Sequence, residues 1–132
     1  MKSNRHFVAI LDDDPLVRQS IQRLVRSHGM YAETFASGRE FIDRLAATPS
    51  LMPDCMIIDM QMPGLNGLQV REYLRSRRRD VPVIFVTALR EAWIREQALA
   101  SGAIAFFQKP FDGNLFIKTL RAVVEIEGGR EP

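Results

Sequence analysis

Five short apolar runs, each followed by a segment whose apolar residues recur three and four apart, constrain this chain more than any other feature. "FVAIL" (Phe7 to Leu11) reads as a strand, after which Val17, Ile21, Leu24 and Val25 fall at helical spacing. "MYAETF" (Met30 to Phe35) is an alternating strand, and the helix after it starts near Ser37 and Gly38 and carries Phe41, Ile42 and Leu45. "CMII" (Cys55 to Ile58) precedes a helix over Leu68 to Arg77. "VPVIFV" (Val81 to Val86) precedes one over Glu91 to Ser101 that closes at Gly102 as a C-cap. "AIAFFQ" precedes a fifth helix marked by Phe116, Leu120, Val123 and Val124. Strands that are apolar along their whole length are buried on both faces, and alternation with helices makes their sheet parallel. The expected fold class is α/β, a doubly wound five-stranded parallel sheet with helices on both faces.

At 132 residues the chain suits a single domain. We expect its core at about 7–125, with 126–132 as a tail and "EGGREP" as a frayed end. A composition 46% apolar and 26% charged is that of a globular protein. The net charge of +2 is too small to argue for direct nucleic-acid binding by this domain. Arg75, Arg77, Arg78 and Arg79 fall where the third helix ends, where positive charge is favourable. A single cysteine, Cys55, excludes an intrachain disulfide and suits a reducing compartment. The apolar runs are far shorter than the ~20 residues of a membrane span, and the start lacks a signal-peptide pattern. Taken together, the expectation is a cytoplasmic protein without a membrane partner.

Polar residues interrupt these runs at telling places. In an open parallel sheet, ligands bind at the carboxyl ends of the strands, near the point where strand order reverses. The first strand ends in Asp12, Asp13 and Asp14, the third in Asp59, the fourth in Thr87, and the fifth in Lys109 and Pro110. Carboxylates, a hydroxyl and an ammonium on one edge suit a divalent cation and a phosphoryl group. Adjacent carboxylates repel, so the aspartate run needs a bound cation, a helix N-terminus or exposure to water to offset its cost. Asp14 takes the second of these, as N-cap before Pro15 in the first helical position.

The set "LDDDP", "IIDMQMPGLNG", "VTA" and "KPF" resembles the response-regulator receiver domain, the CheY-like phosphoacceptor module, from Phe7 to about Glu125. "VRQS", "SGREF", "LASGA" and "FFQKPF" are most similar to receivers of the FixJ type, which usually precede a DNA-binding module. The resemblance implies the strand order 2-1-3-4-5 of the flavodoxin/CheY-like fold. It implies that Asp59 accepts phosphate from a sensor histidine kinase, and that Asp12, Asp13, Asp59 and the main-chain carbonyl of Gln61 hold Mg²⁺ (or Mn²⁺). Of the adjacent pair, Asp13 is the one implied in direct metal contact. Thr87 and Lys109 are implied to contact the phosphoryl group, the Lys109–Pro110 peptide to be cis, and Phe106 to be a switch aromatic. Such a protein is a phosphoacceptor switch and not an enzyme. Its further partners would be a DNA-binding output domain or effector and a phosphorylation-dependent homodimer made by the fourth helix, fifth strand and fifth helix. Arg95 and Glu96 depart from the FixJ type, which carries an apolar Ala-Val pair there. Gln61 and Leu89 would border the phosphate and influence how water reaches it.

Two rival readings use the same fold class. A flavodoxin-like nucleotide binder needs a Ser-, Thr- or Gly-rich loop after the first strand, where "DDDP" would repel phosphate. A haloacid-dehalogenase-type phosphatase would use the spacing of Asp12 and Asp14, but leaves Asp59 unexplained.

Overall fold

All five apolar runs become strands of one sheet. The computed structural model describes residues 5–129, with side chains over 5–125. The order along the chain is β1 (Phe7–Leu11), α1 (Pro15–Arg26), β2 (Tyr31–Phe35), α2 (Gly38–Ala47), β3 (Cys55–Asp59), α3 (Gly67–Ser76), β4 (Val83–Thr87), α4 (Ala92–Ala100), β5 (Ala105–Gln108) and α5 (Gly113–Gly129). The strands pair in parallel in the order β2-β1-β3-β4-β5. The chain leaves β1 toward one edge and returns past it to β3, so the reversal of strand order falls between these two strands.

The pleat sorts side chains strictly between two cores. Ala9, Leu11, Met56, Ile58 and Phe85 face α2, α3 and α4, meeting Phe41, Ile42, Val70, Leu74, Ile94 and Ala98. Val8, Ile10, Ile57, Ile84 and Val86 face α1 and α5, meeting Ile21, Val25, Phe116, Leu120 and Val124. Period-two alternation survives within runs that are apolar throughout because both faces are covered. Phe106 and Phe107 obey it too, packing on opposite cores.

Element ends shift from the sequence expectation by a residue or two, for local reasons. Val81 and Pro82 stay outside β4, since proline has no N–H for the ladder; Pro82 contributes only its carbonyl, to Met56 N at 2.9 Å. Glu91 and Ser101 are caps of α4 and not members of it, and Gly102 follows with φ +92°, the left-handed turn that glycine allows. The fifth helix runs through Gly129, beyond the expected tail boundary at 125, because no proline interrupts it before Pro132. The rest of "EGGREP" lies outside the described residues.

The arginines in and just after α3 do more than face a helix end. Arg75 Nη1 donates to Ser101 O at 3.2 Å, Arg79 Nη1 to Pro49 O at 2.8 Å, and the Arg77 guanidinium sits 4.8 Å from the centre of the Tyr73 ring. Arg71, unmarked in the sequence, is the buried member. It donates to the carbonyls of Ser101, Gly102 and Val81, so its guanidinium ties α3 to the end of α4. Burial and then the neighbouring Arg75 lower its pKa from the usual value.

Candidate functional site

Asp12 and Asp59 come together because β1 and β3 are neighbours at the reversal point and both end at the same edge. Lys109, arriving from the end of β5, bridges them, its Nζ 2.9 Å from Asp12 Oδ2 and 3.2 Å from Asp59 Oδ2. The Lys109–Pro110 peptide is cis. The free oxygen of each carboxylate is held by backbone: Asp14 N donates to Asp12 Oδ1 at 3.0 Å, and Gln61 N to Asp59 Oδ1 at 3.0 Å. Asp12 is fully buried and Asp59 is 5% exposed, while Asp13 is open to water. Two buried carboxylates thus share one ammonium, with the exposed Asp13 beside them.

The electrostatic consequence is a perturbed carboxylate. Burial, reinforced by the charge of Asp12, raises the Asp59 pKa from 3.8 to about 6 despite the opposing bonds from Gln61 and Lys109. Burial alone would lower Lys109, but its hydrogen bond to Asp12 and the charges of Asp59 and Asp12 more than offset this and raise it. Oxygens of Asp12, Asp13 and Asp59 lie within 4.8 Å of one another. An all-oxygen set carrying excess negative charge fits a hard divalent cation such as Mg²⁺.

Asp14 is occupied elsewhere. Its Oδ1 accepts from Leu16 N at 3.0 Å and from Val17 N at 3.5 Å, capping α1. The phosphatase alternative loses its second acid to this cap. The β3–α3 turn is set by a different device. Asn66 and Gln69 form a reciprocal capping box, and Gly67 packs so tightly that an added Cβ would lie 2.8 Å from Asp59 O and 3.0 Å from Met60 Cα. Only glycine allows α3 to begin this close to the strand end that carries Asp59.

Thr87 lies buried at the end of β4, its Oγ1 accepting from Leu89 N at 3.2 Å and its carbonyl accepting from Lys109 N at 2.8 Å. Phe106, partly buried, lies beneath the Arg95 guanidinium, 5.9 Å from the ring centre. Arg95, noted in the sequence only as a departure, therefore covers the expected switch aromatic. Two more contacts escaped sequence reasoning. Arg18 Nη1 donates to Asp12 O at 2.8 Å, foreshadowed only by a cation one turn into the helix after the acids. Gln108 Nε2 donates to Leu89 O at 3.1 Å, and no pattern in "FFQKPF" marks it.

Known proteins are similar to this chain in sequence and fold. Residues 8–121 match the response regulator receiver domain family. A response regulator receiver protein from Burkholderia phymatum, solved by crystallography, is 52% identical with a TM-score of 0.83, over 91% of this chain and 95% of that one. Response regulator protein TodT of Pseudomonas putida is 30% identical over 96% of this chain and 54% of its own length. The transcriptional regulatory protein FixJ of Azorhizobium caulinodans is 33% identical over 94% of this chain and 58% of its own. The chain spans about half the length of these curated relatives. Because the family match runs from the first strand into the last helix and takes in every strand-end residue described above, this chain belongs to the response regulator receiver domain family.

Proposed function

We propose that Asp59 is the phosphoacceptor of this receiver, taking its phosphoryl group from a sensor histidine kinase. The observation that carries this reading is the Asp59 carboxylate, bound by Lys109 and Gln61 N beside Asp12 at the reversal point of the sheet. An Asp59 oxygen attacks the phosphorus of a phosphohistidine; the P–O bond forms, the P–N bond breaks, and the imidazole leaves with the electron pair. With a pKa of about 6, Asp59 is mostly ionised at neutral pH and retains high basicity for a carboxylate. Lys109, already between two carboxylates, exchanges one of them for a phosphoryl oxygen. The Thr87 hydroxyl donates to another once the phosphoryl group is in place.

Asp12, Asp13, Asp59 and the main-chain carbonyl of Gln61 are the groups that would hold Mg²⁺. When bound, the cation neutralises charge that develops on the phosphoryl oxygens. Differential contact of Thr87 and Lys109 with the two states of Asp59 shifts the conformational population, since a group met equally by both states shifts nothing. The response passes to the surface of α4, β5 and α5 and to phosphorylation-dependent self-association. The same reading places the chain in the cytoplasm as a non-enzymatic switch of a transcription regulator, with a DNA-binding output. The relatives named as regulators, of which this chain covers only 54% and 58%, support that extension.

Intact mass after incubation with acetyl phosphate and Mg²⁺ tests the assignment. One base-labile phosphoryl group is expected in the parent and none in Asp59→Asn. Equal uptake by Asp59→Asn would overturn it.

A further inference from the structure

The loop between β4 and α4 is held from the side away from Asp59. Asp59 ends β3, and Gln108 ends β5, so the two flank β4 from opposite sides. Gln108 is fixed by its pairing with Thr87 in the ladder, and its side-chain amide reaches past that partner to the Leu89 carbonyl. Leu89 in turn donates its N–H to the Thr87 hydroxyl oxygen. One chain of contacts therefore runs from β5 through Leu89 to Thr87. The Leu89 side chain also packs against the core, but the helix that follows adds little: α4 buries only Ile94 and Ala98, and the Glu91 side chain at its N-cap makes no capping bond.

We propose that Gln108 is a positioning residue, a latch that holds the loop of Thr87 and Leu89 toward β5 and so opposes its approach to an occupied Asp59. The proposal rests on the reading of Asp59 as phosphoacceptor and adds a regulator of that site. For the Thr87 hydroxyl to reach a group on Asp59, the loop swings toward β3. The Leu89 carbonyl then moves away from an amide that is anchored on β5. Breaking that bond is part of the cost of switching. Removing the amide lowers the cost, so capture of a phosphoryl mimic tightens.

Calorimetric titration with beryllofluoride in saturating Mg²⁺ tests this on Gln108→Leu and on Gln108→Glu, which keeps the shape but loses the donor. Both should capture beryllofluoride about five-fold more tightly than the parent, the factor for one hydrogen bond of about 1 kcal/mol. Mg²⁺ affinity without beryllofluoride should stay unchanged, because Gln108 touches none of the carboxylates. A merely structural role would weaken both bindings together. Unchanged or weaker capture by the variants, or loss of Mg²⁺ binding in both, would overturn the latch. Asp59→Asn separates the two levels: beryllofluoride capture surviving there refutes the phosphoacceptor reading itself, whatever Gln108 does.

Discussion

The two halves of the site edge are built to different standards of rigidity. On the β1/β3 side, both strands lie deep in the sheet, Asp12 and Asp59 are buried, and the helices that follow are firmly capped, α1 by Asp14 and α3 by the Asn66–Gln69 box. On the β4/β5 side, β5 is an edge strand with every residue only partly buried, and α4, whose N-cap side chain makes no bond, keeps most of its surface in water. The contrast amounts to a division of labour. Under the function proposed above, the carboxylates that would hold a cation and accept a phosphoryl group sit where the backbone is over-determined, while the groups proposed to respond sit where a few side-chain bonds decide the conformation.

The largest expected effect breaks the rigid half through its charge. Without metal, the native state holds a proton on Asp59 up to about pH 6, whereas the unfolded chain releases it near 3.8. Between these values the native state binds more protons, so stability falls as pH rises and levels off above pH 6. Lys109, whose pKa is raised, stays charged throughout that window. The loss is on the order of 3 kcal/mol at most. Denaturant melts in chelator from pH 4 to 7 should show this fall in the parent and lack it in Asp59→Asn. Millimolar Mg²⁺ should recover the loss above pH 6, because it binds the folded arrangement.

Next in size is Gly67→Ala. Its new methyl meets the backbone of Asp59 and Met60 and the ring of Phe85, none of which is a flexible chain end. Overpacking of this kind costs about 1–3 kcal/mol. The strain falls on the strand end that carries Asp59, so Mg²⁺ affinity should drop together with the melting temperature.

Smaller again is a contrast of caps. Asn66→Ala should cost about 1 kcal/mol, the usual worth of an N-cap. Glu91→Ala should cost almost nothing, since that side chain makes no capping bond. Equal losses at both positions would erase the distinction between the two halves.

How much of this could be read from residues alone follows the same division. Asp12, Asp59, Thr87 and Lys109 were legible because each interrupts an apolar run at a strand end, and parallel topology brings those ends to one edge. Asp14 was legible because capping is local, with Pro15 beside it. Arg71 and Gln108 were not, and Gly67 was legible only as a turn residue of "MPGLNG". Arg71 bonds carbonyls thirty or more positions away, at Ser101 and Gly102. Gly67 matters through what its missing Cβ would strike, and Gln108 through a loop nineteen residues earlier in the chain. Such contacts exist only once the elements have docked, so no periodicity announces them. Arg95 stood out as a departure from the FixJ type, but the Phe106 ring beneath it needed the folded chain to be seen.

Under the proposed function, occupation of Asp59 is felt across β4 by α4 through Thr87. Trp93, the only tryptophan, lies exposed on α4 six residues beyond Thr87 and reports on that helix. Beryllofluoride with Mg²⁺ should shift Trp93 emission in the parent, and the shift should shrink in Thr87→Ala, which retains Asp59 but lacks the hydroxyl. Emission that stays constant in the parent while calorimetry shows Asp59 occupied would contradict the account.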